Sequence, residues 1–384
     1  MKYNKTKIIF ILLSLVLPIS GFYMFLLSQP IDQFAFRFWD TLSVKNESSF
    51  LSGAFYPNIK LSRNEVGDLA PYTSDAVIRH VEVEIDEFGF RNRKVRCADP
   101  DIIFIGDSMV VGSGITQDKT LPVLLEKKLD RCVYSFGGAD FEKAWYFIKK
   151  LSLRPRAIVV GNVERYVPIL NPYNEKNFSL RSKKLERFYF EDEDRRGFFT
   201  KVSVFGERVL YNGFQNFKSK HGIISSFKRM FTAPTEAPLN NDNLNLNPKS
   251  PQKMIFYNGE SALEPFSDET FAQIEKTYLS YQKLLESNQI KLYVLIVPNK
   301  ETIYPQLIPS SKESSNLKMV YTLLEKNQIH YVNLQKPFSE KFLLHNEVVY
   351  YSDDTHWNEA GIVIATDLLS QKIQSDFPKN KSSL

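Results

Sequence analysis

The chain has 384 residues, 43% apolar and 24% charged. This composition suits one large folded domain or two smaller ones and excludes a disordered or fibrous chain. The formal charge of +5 is mild and no long Lys/Arg run occurs, so nucleic-acid binding has no support and no nucleic-acid partner is expected. Aromatic residues make up 14%; most sit in apolar runs and read as core rather than as a sugar-stacking surface.

Lys2, Lys5 and Lys7 precede an uncharged stretch at residues 8–28. A helix of that length rises about 30 Å, enough to cross the hydrocarbon core, and membrane helices tolerate a proline such as Pro18. A cleaved signal peptide is the alternative. The length of the run and the lack of a clean small-x-small site favour an uncleaved transmembrane signal anchor. Residues 1–7 are then a cytoplasmic tail, and everything after residue 29 faces outward, into a periplasm or onto the cell surface.

Residues 29–96 form a mixed lead-in segment expected to pack on the main domain. Within it, 80–85 alternates like a strand and 86–92 reads as a turn and short strand. From residue 101 the pattern becomes strand 101–106, helix 119–130, strand 133–136, helix 141–151 and strand 157–161. After a gap come helix 268–287, strand 292–297, a helix near 315–327, strand 330–334 and helix 359–373. Short apolar runs bounded by helices predict an α/β fold with a doubly wound, parallel five-stranded sheet and its site at the carboxyl ends of the strands. The main α/β domain spans 97–171 and 268–384. Residues 172–267 form a mostly helical insertion with helical stretches at 182–196 and 205–231 and an Asn- and Pro-rich linker at 232–252. Lys218, Lys220, Lys228 and Arg229 in the second stretch suit anionic lipid or glycan, but an ordinary solvated helix face is the preferred reading.

Cys97 and Cys132 each stand just before an apolar run. If those runs are neighbouring parallel strands, both cysteines lie near one sheet edge, and an oxidising compartment lets them pair. No His/Cys cluster has ligand spacing, so neither metal nor cofactor is expected.

The first strand and its turn read IIFIGDSMVVGSG, residues 102–114. A buried strand ending in Gly106-Asp107-Ser108 carries the Ser108 hydroxyl to the carboxyl edge of the sheet, where its own N–H suits an oxyanion donor. A serine nucleophile needs a base. Of the five histidines, His356 alone lies in a short polar loop, Ser352-Asp353-Asp354-Thr355-His356-Trp357-Asn358, directly before the last helix. An acidic residue two or three places earlier can turn back onto its Nδ1–H. Asn358 also suits a helix cap, and the two readings are compatible.

Together these blocks resemble the SGNH hydrolase superfamily, also called GDSL-type. Gly106-Asp107-Ser108 matches its first block and Asp353-Asp354-Thr355-His356 its last. Val133-Tyr134-Ser135-Phe136-Gly137 looks like the second, whose glycine N–H lines the oxyanion hole. The third block departs: where the superfamily has Gly-x-Asn, this chain has Gly161-Asn162-Val163-Glu164-Arg165, so the Asn162 donor is one place early. Asp-Thr-His-Trp at 354–357, Val297-Pro298-Asn299-Lys300 and Ile303-Tyr304-Pro305 look like the alginate O-acetyltransferase-type branch. There the orienting acid can lie two residues before the histidine, which is Asp354; the wider superfamily register makes it Asp353, and Asp353 is the preferred reading.

The resemblance implies a Ser108–His356–Asp353/Asp354 triad with Ser108, Gly137 and Asn162 around the oxyanion, and acyl transfer through a covalent intermediate. A sugar hydroxyl as acceptor makes an O-acyltransferase, most simply an O-acetyltransferase, modifying an exported polysaccharide or cell-envelope glycan with acyl groups from a polytopic membrane partner. Water as acceptor makes a carbohydrate or lipid acyl esterase. A non-catalytic glycan-binding assembly factor is a third reading, favoured only by the altered third block.

Overall fold

The computed structural model describes residues 7, 11, 13–21, 36–44, 53–71, 73–93, 99–175, 183–206, 254–308 and 313–378. A short helix, α1 (Phe38–Leu42), precedes the first strand. Strands β1 (Ile59–Glu65) and β2 (Arg79–Ile85) form an antiparallel pair running from Ile59 opposite Ile85 to Glu65 opposite Arg79. β2 is the strand expected from its alternation. β1 escaped notice because two of its inward positions are charged: Arg63 and Glu65 are buried and paired at 3.8 Å. Phe38, Phe55, Tyr56, Val81, Val83 and Ile85 form a small core that also takes in Val111, beside the expected nucleophile.

The expected parallel sheet is present. Its strands are β3 (Ile102–Gly106), β4 (Val133–Gly137), β5 (Ala157–Val163), β6 (Lys291–Val297) and β7 (His330–Asn333), in the order β4-β3-β5-β6-β7. Every neighbouring pair is parallel. Side chains alternate between faces, as strand geometry requires. Ile103, Ile105, Val294 and Ile296 join one core with residues of α4 (Phe141–Lys150), α7 (Asp268–Ser287) and α9 (Asn316–Lys326). Ile102, Phe104, Tyr293 and Leu295 join the other with α3 (Leu121–Leu129) and α11 (Glu359–Asp376). The sheet is thus covered on both faces, which explains why its strands read as continuous apolar runs.

Boundaries differ where local chemistry intervenes. The helix expected from residue 119 begins at Leu121, because Pro122 takes the first turn and residues Gln117–Lys119 form a tighter turn before it. β5 runs two residues beyond the expected end, with Asn162 opposite Ile296 and Val163 opposite Val297. Helix α10 (Gln335–His345) was not anticipated; Leu343 and Leu344 are exposed and blur its apolar face.

In the insertion, α5 (Lys183–Glu191) falls within the first expected helical stretch, whereas α6 (Glu193–Gly206) begins in it and runs ten residues past its end. Tyr189 of α5 packs against Phe88 of the lead-in and Phe147 of α4. Most of stretch 205–231 and all of linker 232–252 lie outside the described residues. Cys132 is disulfide-bonded and the chain has two cysteines; Cys97 itself lies outside the described residues. Of the expected span at 8–28, residues 11 and 13–21 are helical and exposed. Among the described residues no helix is long and apolar enough to cross a membrane, so the anchor has no structural support here.

Candidate active site

The site lies at the carboxyl ends of β3 and β5. Gly106 ends β3 opposite Gly161, and a Cβ on Gly106 would meet the Gly161 carbonyl oxygen at 1.8 Å, so only glycine fits. The chain then turns into a one-turn helix, α2 (Ser108–Val111). Asp107 caps it, accepting from Met109 N–H at 2.9 Å through Oδ1 and from Val163 N–H at 2.8 Å through Oδ2. Asp107 is therefore a clamp between the nucleophile turn and the end of β5. Burial pushes its carboxyl up, against the two backbone donors.

His356 arrives from the loop before α11, which Asn358 caps by accepting from Gly361 N–H at 3.2 Å. The imidazole is buried, with Nε2 2.8 Å from Ser108 Oγ and Nδ1 2.6 Å from Asp354 Oδ1. An ionised Asp354 can only accept, so Nδ1 carries the proton and Nε2 is free to take the Ser108 hydroxyl hydrogen. Burial opposes the Asp354 charge, but His356 and then Arg79 hold its carboxyl well below the usual range.

The preference for Asp353 is corrected by this geometry. Asp354 turns back so that Oδ1 also accepts the His356 backbone N–H at 3.1 Å, the local turn that a carboxylate makes with the N–H two residues on. Asp353 points into the lead-in segment, accepting from Gly67 N–H and Val77 N–H at 2.8 Å each and from Arg79 at 2.8 Å. The other arm of Arg79 donates to Asp354 Oδ2 at 2.9 Å, and its guanidinium lies 4.0 Å from the Tyr351 ring centroid.

Two further residues hold the histidine loop. The buried Lys300 donates to the carbonyls of Ile255, Tyr351, Ser352 and Asp354 at 2.6–3.0 Å; burial pushes its amine down to about 8. Asp68 accepts from Thr355 N–H at 2.8 Å and from Thr355 Oγ1–H at 2.7 Å, and Arg37 donates to it at 3.2 Å. Asp68, Asp354 and His356 bring possible metal-ligand atoms within 4.8 Å of one another, but each is already engaged in these protein contacts.

A cavity of about 360 Å³ opens over Ser108 and His356. Its walls include Trp39, Gly138, Asn162, Arg165 and Tyr166. Gly137, the expected second-block donor, is corrected as well: its N–H donates to Ser135 Oγ at 3.1 Å, and the glycines in the cavity wall are Gly106 and Gly138. Gly138 N–H is itself spent on the Gly106 carbonyl at 2.6 Å. Asn162 does reach the cavity, because the longer β5 carries it there. Among the described residues its Oδ1 is buried without a partner, and Asn162 lines the cavity beside Arg165 and Tyr166.

Glu164, next in the third block, is buried. Its Oε2 accepts from Asn299 N–H at 2.8 Å and Thr302 Oγ1–H at 2.6 Å, while Oε1 has no partner among the described residues. Burial pushes its carboxyl up to about 7. Arg165 N–H in turn donates to Asn299 Oδ1 at 3.2 Å. The third block is thus tied to the turn that carries Lys300. Sequence reasoning singled out that turn by resemblance but assigned it no role; Asp68 and Arg79, in a polar turn and on a strand of the lead-in, carried no signal.

Residues 253–383 match the family described as ALGX: SGNH hydrolase-like domain, acetyltransferase AlgX. No curated protein matches the chain. Several solved structures resemble it at low identity. A GDSL-like lipase from Bacteroides thetaiotaomicron VPI-5482 is 14% identical, with 72% of this chain and 88% of that one covered and a TM-score of 0.33. A lipase/acylhydrolase from Enterococcus faecalis is 10% identical, with 73% and 98% covered and a TM-score of 0.30. The acetyl xylan esterase AlAXEase is 13% identical, with 72% and 98% covered and a TM-score of 0.33. Likeness this low carries no weight for the activity.

Proposed function

We propose that this chain, whose residues 253–383 match an SGNH hydrolase-like acetyltransferase domain, moves acyl groups on and off oxygen with Ser108 as nucleophile. The observation that carries the reading is the unbroken line from Ser108 Oγ to His356 Nε2 at 2.8 Å and from Nδ1 to Asp354 at 2.6 Å. His356 takes the Ser108 proton as Oγ attacks an acyl carbonyl, and Asp354 stabilises the imidazolium. The Asn162 amide, with Ser108 N–H, holds the oxyanion. Collapse returns the proton to the leaving oxygen and leaves an acyl-serine. His356 then deprotonates the acceptor, which attacks that ester and releases Ser108.

The acceptor we propose is a hydroxyl of an exported glycan, and the acyl group acetyl. Trp39, Arg165 and Tyr166 in the cavity wall suit a sugar, whose faces stack on rings and whose hydroxyls pair with a guanidinium. Residues 8–28 serve as a membrane anchor; the uncharged, apolar run behind Lys2, Lys5 and Lys7 is the sequence feature that supports this. The domain then faces the periplasm or cell surface, and a polytopic membrane protein supplies the acyl group.

The test is turnover of a chromogenic acetyl ester by the full chain, with and without oligosaccharide. Wild type should exceed Ser108→Ala and His356→Ala by roughly 10³-fold or more. Acetyl recovered on sugar supports the transferase; acetate alone makes the chain an esterase. Turnover equal in wild type and Ser108→Ala would overturn both.

A further inference from the structure

His356 Nδ1 faces two carboxylates, one from the last loop and one from a segment almost 290 residues earlier. Asp354 Oδ1 lies at 2.6 Å and Asp68 Oδ2 at 3.7 Å. The second is no passing contact. Asp68 grips Thr355, the residue beside His356, by its backbone N–H and its hydroxyl, and the Thr355 hydroxyl oxygen is itself 3.4 Å from Nδ1. Asp68 also lines the cavity over Ser108. It is held in turn by Arg37 at 3.2 Å, and Arg37 by Asp40 at 3.3 Å. All three belong to residues 36–68, outside the part of the chain where the histidine motif resides.

Resting on the acyl-transfer reading, we propose that Asp68 is a positioning residue for the base: it fixes the Thr355–His356 backbone and supplies a second negative charge to the imidazolium formed when Ser108 loses its proton. The need for it follows from Arg79. That guanidinium binds Asp354 Oδ2 and offsets part of the charge Asp354 offers the ring. A second carboxylate beside the same ring nitrogen restores the balance. Asp107 contributes a further negative field, so the charged groups around His356 are Asp354, Asp68, Asp107 and the neighbouring Asp353 against Arg79, Arg37, Lys300 and Arg165. The lead-in segment is accordingly part of the active site and not only a packing element.

The test uses the full chain with Asp68→Asn, which keeps the shape and one acceptor but removes the charge, and Thr355→Val, which removes the hydroxyl bridge. Three readings are taken: kcat and KM on a chromogenic acetyl ester, the acid-side midpoint of the pH–activity profile, and the titration of the His356 ring signal by NMR, identified by its loss in His356→Gln. Removing a negative charge makes the ring easier to deprotonate. Both midpoints should therefore fall by about one pH unit in Asp68→Asn, with kcat down about tenfold and KM little changed. Asp68→Glu should restore the midpoints. Thr355→Val should lower kcat without moving them. Unmoved midpoints in folded Asp68→Asn would overturn the inference. The NMR titration reads Asp68 even in a chain without esterase activity, so failure of the acyl-transfer reading appears separately, as a wild type no faster than Ser108→Ala.

Discussion

Arg79 lies between the two adjacent aspartates, 2.8 Å from Asp353 and 2.9 Å from Asp354, so a strand of the lead-in holds both acids of the histidine loop at once. The two carboxylates nevertheless do different work. Asp354 should behave as the orienting acid: Asp354→Asn is expected to lower kcat by roughly 10³-fold or more, because the amide can pair with the wrong tautomer. Asp353→Asn leaves the Nδ1 bond intact and should cost no more than about tenfold in kcat, with a loss of stability instead, as buried donors from Gly67 and Val77 lose a charged acceptor. Steady-state rates and urea denaturation on both variants separate the roles; equal losses of kcat would return Asp353 to contention.

Asn162 reaches the cavity although it stands one place early in its block. If its amide receives the oxyanion, Asn162→Ala should lower kcat about 10²-fold with KM nearly unchanged, since the bond strengthens only as charge develops. Asn162→Asp should be at least as poor, because a carboxylate repels the oxyanion. Burst and steady-state kinetics on an acetyl ester check this.

Glu164 gives a pH dependence of stability. Burial raises its carboxyl from 4.5 to about 7. Between those values the unfolded chain releases the proton while the folded protein keeps it. Stability from this group is therefore full below pH 4.5, falls as pH rises, and is lost above about 7, by at most about 3 kcal/mol. Glu164→Gln keeps an acceptor for Asn299 and Thr302 and removes the charge. It should be close to wild type at pH 4.5 and more stable by about 1–3 kcal/mol at pH 8. Urea midpoints at the two values, compared between the proteins, give the answer; a parallel decline in both would exclude Glu164 as its source.

Lys300 binds four carbonyls, two within the histidine loop and a third on Tyr351 just before it. Lys300→Met keeps the stem and strips the donors, leaving those oxygens short of partners. A loss of roughly 2–4 kcal/mol in stability is expected, with kcat falling further than KM rises as the loop loosens. Thermal melting with rate measurements well below the melting point tests this; unchanged activity would show that the loop holds itself.

Much of the fold was legible in the chain because parallel strands buried on both faces read as unbroken apolar runs between amphipathic helices. Helix α7 starts and stops where its Ser267 cap and apolar spacing say. β1 was missed because Arg63 and Glu65, buried as a pair, counterfeit an exposed strand, and α10 because exposed Leu343 and Leu344 smear its period. Of the site, Ser108 and His356 could be read because each sits in a local motif with a chemical rationale.

The sequence by itself therefore determined the sheet, its two helical layers and the serine and histidine that meet above it, since these depend on periodicity and short-range turns. Only the tertiary structure decided which aspartate faces the ring, which glycines line the cavity, and that Asp68 and Arg79 belong to the site. Those are differences of one residue within a loop, or pairings across more than 270 positions. A carboxylate's partner is set by where side chains converge in space, and neither spacing nor composition records that.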